Sequence, residues 1–191
     1  MSNRVEKEGE DGMRLFVALD LPHSARQMLL SLQDNLERLG MGGRRTREEN
    51  LHLTLRFLGD VEEKKAPEIC ERVQRAVQEQ IAPMVHINGV GAFVRATGDT
   101  VFAQLGGDLN GVHRLAASVG AALQPMGVRA EIRPFRPHIT LLRNARFGNQ
   151  GIRTKSEPFF MSKVCVYAST LGAGPNGTPL YRALCEVVLP R

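Results

Sequence analysis

The sequence predicts an α+β fold. Three segments carry apolar residues at three- and four-residue steps, which is the spacing of amphipathic helices. Several short apolar runs bounded by Gly, Pro or Asn are typical of strands. The helices do not alternate strictly with the strands, which favours α+β over a parallel α/β sheet. The second half of the chain contains a similar set of predicted elements to the first.

Each half of the chain contains strands and helices in a similar order. The first half is predicted to form a strand over residues 14–20, a helix over 24–39 that Gly40 ends, a strand over 50–58 and a helix over 62–81. Pro67 fits that second helix only in its first turn. The second half is predicted to form strands over 84–94 and 100–105, a helix over 109–123, and strands over 128–133, 137–142, 159–168 and 180–189. Residues 172–177 form a glycine-rich loop.

Length and charge suggest one basic domain. The chain has 191 residues and a net charge of +5, and a chain of this size buries roughly 70% of its unfolded surface. Residues 1–12 are polar and acidic, which predicts a disordered tail, and residues 13–191 form the predicted domain. That domain is basic and richer in Arg than in Lys, which favours a polyanionic partner.

The cysteines and the lengths of the apolar segments indicate the cellular compartment of the protein. The chain has three scattered cysteines, Cys70, Cys165 and Cys185, without metal-binding spacing. This pattern argues against a disulfide framework and a cysteine zinc site, and it fits a reducing cytosol. There is no run of about 18 apolar residues and no signal peptide, so we expect a cytoplasmic protein that does not contact a membrane.

A four-residue pattern occurs twice. The chain contains His52-Leu-Thr-Leu55 and His138-Ile-Thr-Leu141, which start 86 residues apart. Because side chains alternate between the two faces of a strand, each copy places an imidazole and a hydroxyl on one face and two apolar residues on the other. A single His-x-Thr on a strand usually has only a structural role. Two copies in two similar half-chains point to a shared function.

Two such pairs suit the opening of a phosphodiester. This reaction needs a base that takes a proton from water and an acid that gives one to the departing oxygen. Histidine titrates near 6.5, so one ring can be neutral while the other is protonated. The two threonine hydroxyls can hydrogen-bond the phosphate oxygens as charge builds on them. The chemistry needs no metal or cofactor.

The segments around the repeat resemble a known family. Residues 50–60, NLHLTLRFLGD, and residues 134–143, PFRPHITLLR, are similar to the two signature segments of the two-histidine phosphoesterase superfamily. Within it, they resemble the bacterial RNA 2′,3′-cyclic phosphodiesterase family, also called LigT-like 2′-5′ RNA ligases. The resemblance spans about residues 13–189.

The resemblance implies both a fold and an activity. The implied fold is bilobal, with two pseudo-symmetric lobes of antiparallel sheet plus helices around a central cleft. The implied activity is hydrolysis of the 2′,3′-cyclic phosphate at an RNA end to a 2′-phosphomonoester, with reversible 2′-5′ ligation in some relatives. It makes His52 the proton donor and His138 the proton acceptor, with Thr54, Thr140 and Arg143 on the phosphate. We expect a monomer that acts on RNA such as tRNA fragments.

The residues around the motifs carry further expectations. By strict alternation Arg143 lies on the wrong face, so its strand must end or bulge after Leu141 for it to reach the cleft; otherwise it is a surface charge. Arg56 is in phase with His52 and is a candidate for lining the cleft, whereas Phe57 is expected in the core, with stacking on a base as its alternative. Phe135 is a candidate for stacking on a nucleobase.

Other arginines, histidines and tyrosines carry further expectations, and at one position the chain differs from the family. Five arginines near the motif strands are predicted to form a surface that binds the phosphates of the substrate: Arg44, Arg45, Arg47, Arg133 and Arg136. For each of them, the alternative is an ordinary arginine exposed to solvent. His23, His86 and His113 lack a companion threonine and are expected to be structural or exposed. Relatives often have a tyrosine where this chain has Gly177. Tyr181 is expected to point elsewhere and Tyr167 to pack within its strand.

The sequence is also compatible with three other functions. A related enzyme of the superfamily could act on small cyclic phosphates, such as an ADP-ribose cyclic phosphate, or on 2′-5′ oligonucleotides. A non-catalytic RNA-binding module could use the same cleft, although binding alone does not need a matched acid and base. A metal site through the two histidines is the weakest option, because ligands of suitable spacing are missing and threonine is a poor zinc ligand.

Overall fold

The computed structural model describes residues 12–128, 134–147 and 152–191. Residues 1–11 of the predicted tail, and nearly all of the strand predicted over 128–133, lie outside these ranges. The described helices are α1 (His23–Arg38), α2 (Ala66–Val77) and α3 (Leu109–Leu123), with four single 3₁₀ turns. The strands are β1 (Gly12–Asp20), β2 (Arg44–Arg45), β3 (Leu53–Glu62), β4 (Met84–Phe93), β5 (Asp99–Gly107), β6 (His138–Ala145), β7 (Ile152–Lys155), β8 (Phe159–Phe160), β9 (Lys163–Thr170) and β10 (Leu180–Val188).

The strands form one antiparallel sheet with two halves, which confirms the α+β prediction. The main path runs β10-β9-β1-β3-β6-β5-β4-β7, while β2 pairs with β6 and β8 pairs with β4. The halves meet where β3 and β6 pair through Leu53 and Ile139, both fully buried. The motif strands are therefore neighbours at the centre of the sheet, and each of the two lobes is one half of it.

The helices pack so that the two halves share one core. Helix α1 contacts β6, helix α3 contacts β3 and α2, and α2 contacts β9 and β10. A single cluster of buried apolar side chains runs through all of these elements. Helix α1 therefore follows a strand of the first half and packs on a strand of the second. Helix α3 comes from the second half and packs on the first.

Several element boundaries differ from the prediction. The second predicted helix begins only at Ala66, because residues 62–65 finish β3 and form a 3₁₀ turn, but Pro67 does lie in the first turn. Strand β3 starts at Leu53 rather than at residue 50 and continues past Gly59, whose φ of +76° still allows pairing with β1. The strand predicted over 159–168 is split into β8 and β9. Strands β2 and β7 were not predicted, because both are short and polar.

The prediction that the cysteines form no disulfide is wrong. Cys70 on α2 and Cys185 on β10 are bonded, with Cα atoms 6.0 Å apart and a sequence separation of 115. Cys165 is free and buried in β9. The bridge joins a helix to the strand on which it packs, a contact that cysteine spacing does not reveal. The cysteine pattern therefore no longer argues for a reducing compartment.

Candidate active site

A cavity of about 290 Å³ lies between the two halves of the sheet. Both His-x-Thr pairs line it, because Leu53 and Ile139 point into the core where β3 and β6 pair. Because side chains alternate along a strand, the residues before and after Leu53, and those before and after Ile139, point toward the cavity. Polar, basic and aromatic side chains make up the lining: Arg44, Arg45, Thr46, Arg47, Asn50, His52, Thr54, Phe57, Phe93, Arg95, Thr100, His138, Thr140, Arg143, Thr178, Pro179 and Tyr181.

Each motif strand has a bulge at the last residue of the repeat. In β3, Thr54 pairs with Ala18 and Arg56 with Val17, so Leu55 is the extra residue. In β6, the partners of Phe102 and Val101 are Thr140 and Leu142, so Leu141 is extra. A bulge adds one residue and reverses the phase of the side chains that follow it. The two halves of the site therefore share the same irregularity.

The bulge in β6 brings Arg143 into the cleft. Leu141 and Leu142 are both fully buried, and Arg143 then lines the cavity beside His138 and Thr140. This is the bulge that the sequence required for Arg143 to reach the site.

The corresponding bulge in β3 overturns two expectations. Arg56 does not line the cleft; it faces α3, where a Cβ added at Gly120 would lie 3.8 Å from its Nη1 atom. Phe57 is not in the core, since 59% of it is exposed and it lines the cleft at the position equivalent to Arg143. Both expectations failed because strict alternation was applied across a bulge. The likeness of the two motifs was the sequence signal that a bulge required at Leu141 would also occur at Leu55.

Phe135 also lies outside the cleft. It lines a second cavity together with Arg56 and residues of α3, and the edge of its ring contacts His113 at a centroid distance of 5.3 Å. It is not among the residues that line the cleft with the two motif histidines. The expectation that it stacks on a base at the site is therefore wrong.

Both motif histidines are held in the same way. The Nδ1 atom of His52 lies 2.7 Å from the carbonyl oxygen of Asn50, and that of His138 lies 2.7 Å from the carbonyl oxygen of Arg136. A carbonyl only accepts, so in both rings Nδ1 carries the proton and donates it. Nε2 is then the nitrogen left for chemistry, and that of His52 lies 2.9 Å from the hydroxyl of Thr54.

The environment favours neutral imidazoles. Burial lowers the pKa of His52 to about 4, opposed by the hydrogen bond to Asn50 and assisted by the positive charge of Arg143. Burial also lowers the pKa of His138, again with a contribution from Arg143. Both rings are therefore neutral near pH 7 in the free protein, and a bound anion is needed to favour the imidazolium.

Helix α1 fixes the bulge that carries Arg143. The side chain of Gln33 is fully buried, and its Nε2 atom donates to the carbonyl oxygens of Leu141 (2.8 Å) and Thr46 (2.9 Å). The amide of Thr46 also donates to the Leu141 carbonyl, at 2.8 Å. The carbonyl oxygen of the bulged residue Leu141 therefore accepts one hydrogen bond from the side chain of Gln33 and one from the backbone of Thr46. A buried glutamine in an apolar helix stripe was the sequence signal for this contact, and it was missed.

Aromatic rings surround each histidine. Phe16 and Tyr181 lie with ring centroids 4.9 and 5.5 Å from that of His52. Phe93 and Phe102 lie 5.1 and 5.3 Å from His138. These rings exclude water and so account for the lowered pKa values of both histidines.

Tyr181 lies in the cleft, so the expectation that it points elsewhere is wrong. Strand β10 places it against His52, and it supplies a phenol to the site although residue 177 is a glycine. Gly177 ends the 3₁₀ turn Pro175–Gly177 with a φ of +69°. Tyr167 packs against Phe16 at 5.2 Å, as expected for a strand residue.

The predicted basic surface is only partly at the cleft. Arg44, Arg45 and Arg47 line the cavity, together with Arg95, which the sequence did not single out. Arg136 instead lies over the ring of Phe93, 5.4 Å from its centroid. Arg133 lies outside the described residues. The three other histidines, at positions 23, 86 and 113, do not line the cavity.

The described residues offer no cluster of three His, Cys, Asp or Glu side chains placed to hold a metal ion. In the same part of the chain, no helix is both long and apolar enough to cross a membrane. The side chains that converge in the cleft are therefore imidazoles, hydroxyls, guanidinium groups and aromatic rings. These are groups that bind phosphate and move protons.

Comparison with known families agrees with this geometry. The family model described as LigT like phosphoesterase matches residues 19–101 and 109–175, which include both His-x-Thr pairs. The chain belongs to the LigT-like phosphoesterase family.

Relatives and solved structures match most of the chain. It is 29% identical over 180 residues to the RNA 2′,3′-cyclic phosphodiesterase of Thermotoga maritima, a match covering 91% of this chain and 94% of that protein. It is 31% identical over 174 residues to the protein of the same name from Escherichia coli, covering 88% and 94%. The match to the Aeropyrum pernix relative is 34% identical and covers 60% of this chain and 65% of that protein. The apo crystal structure of E. coli LigT superposes with a TM-score of 0.75 at 26% identity, covering 95% of this chain and 99% of that one.

Proposed function

We propose that the protein hydrolyses the 2′,3′-cyclic phosphate at the end of an RNA strand to a 2′-phosphomonoester, without a metal or another cofactor. One observation carries this proposal: two His-x-Thr pairs and Arg143 line one cavity from neighbouring strands of the two half-sheets. The relatives named RNA 2′,3′-cyclic phosphodiesterase support it. So does the similar structure of E. coli LigT complexed with 3′-AMP, with a TM-score of 0.74 at 25% identity.

In the proposed reaction the two histidines have opposite roles. The Nε2 atom of His138 takes a proton from water as the water oxygen forms a bond to phosphorus. The bond from phosphorus to the 3′ oxygen breaks, and the Nε2 atom of His52 gives that oxygen its proton. The phosphate stays on the 2′ oxygen, and exchange with solvent restores both rings.

Three further groups hold the phosphate in this scheme. The hydroxyls of Thr54 and Thr140 and the guanidinium of Arg143 bind the oxygens that do not leave, where charge increases during the reaction. The negative charge of the substrate also favours the imidazolium form of His52, whose pKa is lowered to about 4 in the free protein. Phe57, which is exposed at the mouth of the cleft, offers a ring on which the terminal base can stack.

Product analysis tests the proposal directly. An RNA oligonucleotide ending in a 2′,3′-cyclic phosphate is incubated with the protein in excess chelator, and the position of the phosphate is read by mass spectrometry and by digestion with an enzyme specific for 2′- or 3′-phosphate. We expect a 2′-phosphate at an undiminished rate. A 3′-phosphate product would reject the bond assignment, and loss of activity in chelator would reject the metal-free scheme.

The same assay separates the remaining alternatives. Faster turnover of a cyclic mononucleotide or an ADP-ribose cyclic phosphate than of RNA would favour a small-molecule enzyme. Normal RNA binding without turnover would favour a binding module. Joining of the cyclic-phosphate RNA to an RNA with a free 5′-hydroxyl end would show 2′-5′ ligation, in which the 5′ oxygen bonds to phosphorus as the bond from phosphorus to the 3′ oxygen breaks. tRNA fragments as the natural substrate, a cytoplasmic location and a monomeric state are further parts of the proposal, and sedimentation of the purified protein tests the last.

A further inference from the structure

The cleft contains more positive charge than one phosphate requires. Its described lining includes five arginines, at positions 44, 45, 47, 95 and 143, and no carboxylate. In the proposed function Arg143 binds the reacting phosphate, which leaves four arginines to explain.

Two of the four are neutralised within the protein. Arg45 forms ion pairs with Asp34 (2.7 Å) and Glu37 (3.4 Å) of α1, and Arg47 pairs with Glu49. For Arg44 and Arg95, no carboxylate among the described residues lies within ion-pairing distance of the side chain. These two positive charges therefore face the cleft unneutralised by the part of the chain that the structure describes.

Arg44 is held directly opposite another cation. It pairs with Arg143 across β2 and β6, in an arrangement that is destabilising for like charges. The approach of β2 to this end of β6 depends on Gly43, whose φ is +144° and whose added Cβ would lie 2.9 Å from the Cβ of Ala145. The buried hydroxyl of Thr46 adds a polar group to this wall and has no hydrogen-bond partner among the described residues. An anion placed between these groups would relieve the repulsion.

Arg95 extends the positive surface on the other side of Arg143. Strand β6 pairs with β2 at Leu142 on one edge and with β5 at the same residue on the other. Arg95 lies in the connection between β4 and β5 and lines the cleft with Thr100. Neighbouring strands are about 4.8 Å apart. The positive charges therefore form a row across several strands, longer than a single phosphate group.

We propose that Arg44, assisted by Arg95, binds backbone phosphates of the nucleotides that precede the RNA terminus. The inference rests on the proposed function and adds to it the contact by which the site distinguishes an RNA strand from a cyclic mononucleotide. Arg44 is then a specificity-determining residue, which contributes to binding of the strand and leaves the bond-breaking groups unchanged.

The test compares two substrates in three variants. The values of kcat/KM are measured for a 2′,3′-cyclic mononucleotide and for a short RNA with the same cyclic end, using Arg44→Gln, Arg95→Gln and the control Arg75→Gln. Arg75 is an exposed arginine of α2 that pairs with Glu71, so its variant removes the same charge far from the cleft. We expect Arg44→Gln to lower kcat/KM for the RNA about tenfold more than for the mononucleotide. Arg75→Gln should lower neither.

A binding measurement keeps this inference separate from the proposed function. Fluorescence anisotropy of a 5′-labelled RNA ending in a 2′-phosphate gives Kd at several salt concentrations. We expect Arg44→Gln to reduce the slope of log Kd against log salt by about 0.7, the value for one lost contact to single-stranded phosphate. Equal losses for both substrates would overturn the proposal, as would an unchanged salt slope. Absence of turnover by the wild-type protein, with this binding difference intact, would reject the proposed function and leave the role of Arg44 supported.

Discussion

His52 and His138 have identical hydrogen bonds to the backbone but must have different charges during the proposed reaction. In both rings Nδ1 donates to the carbonyl two residues earlier, so both present Nε2 to the cleft. The difference between acid and base must therefore come from the substrate and from the surroundings of each ring. His52 has Thr54 at 2.9 Å and the phenol-bearing ring of Tyr181 at its edge, whereas His138 has two phenylalanine rings.

Removing either imidazole should abolish most of the activity. We expect His52→Ala and His138→Ala each to lower kcat on the cyclic-phosphate RNA by at least about 100-fold, because each group transfers a proton in the proposed reaction. The assay is the product analysis above, with circular dichroism as a check on folding. His23→Ala, at the exposed start of α1, is the matched control and should retain full activity. A motif variant that keeps more than a tenth of the activity would contradict the acid–base assignment.

The depressed histidine pKa values predict an acidic optimum for the free enzyme. The general acid must be protonated, and above its pKa that fraction falls about tenfold per pH unit. The general base must be neutral, and that fraction falls as the pH drops below its own pKa. Because burial and Arg143 lower the pKa of both histidines, kcat/KM should peak below pH 6.5 and decline toward pH 8.

Arg143→Gln provides the test of this explanation. Loss of the neighbouring cation raises the pKa of both histidines, so the profile of kcat/KM against pH should move to higher pH, besides falling in height. The measurement is kcat/KM across this pH range for both proteins, with Arg75→Gln as the control for loss of one charge. A wild-type optimum above pH 7, or a profile that does not move in Arg143→Gln, would contradict it.

At the scale of elements, the two bulges decide which side chains form the site. Strict alternation along β6 would have turned Arg143 away from His138, and strict alternation along β3 would have buried Phe57. One extra residue, Leu141 or Leu55, reverses the phase in each case. The β6 bulge is further held from helix α1 through Gln33.

Gln33 should therefore affect activity through Arg143. We expect Gln33→Leu to lower kcat/KM about tenfold, because the bulged peptide loses a buried donor and Arg143 is less well placed. Gln27→Leu, on the same helix with an exposed contact to Glu48, is the control. In the double variant with Arg143→Gln, the further loss should be small, since both changes act on one contact. Fully additive losses would show that Gln33 has only a structural role.

At the scale of the whole molecule, the continuous sheet and the crossed helices join the two halves. The last two strands return to the first half, and the Cys70–Cys185 disulfide fastens β10 to α2. The loop that the bridge closes contains α3 and the strands of the second half. A cross-link of this kind restricts the conformations of the unfolded chain over more than half of its length.

Reducing the bridge should lower stability without changing the chemistry. We expect dithiothreitol to lower the free energy of unfolding by about 2–4 kcal/mol, measured by urea denaturation, since a long loop is released in the unfolded state. Cys185→Ser should show a similar loss and no further response to the reductant, which makes it the internal control. Two free thiols at these positions in the untreated protein, detected by alkylation and mass spectrometry, would contradict the bridge.

The fold class, the three helices and the paired motifs could be predicted from the order of the residues alone. These depend on local periodicity, because an amphipathic helix or an alternating strand shows its apolar face in the order of its residues. The boundaries of α3 were predicted to the residue, and the two His-x-Thr pairs were identified together with their shared face. The family resemblance, which the matching family model confirms, rests on the same contiguous segments.

The rest of the site depends on contacts between distant segments of the chain. Tyr181 reaches His52 because the sheet places β10 on the same side as β3, with only β9 and β1 between them, and Cys70 meets Cys185 because α2 packs on that same edge strand. Arg56 and Phe57 exchanged their predicted places because a bulge is set by the register between strands, which no single strand records. Contacts of this kind arise from pairing and packing of distant segments, whereas periodicity describes only the segment in which it occurs.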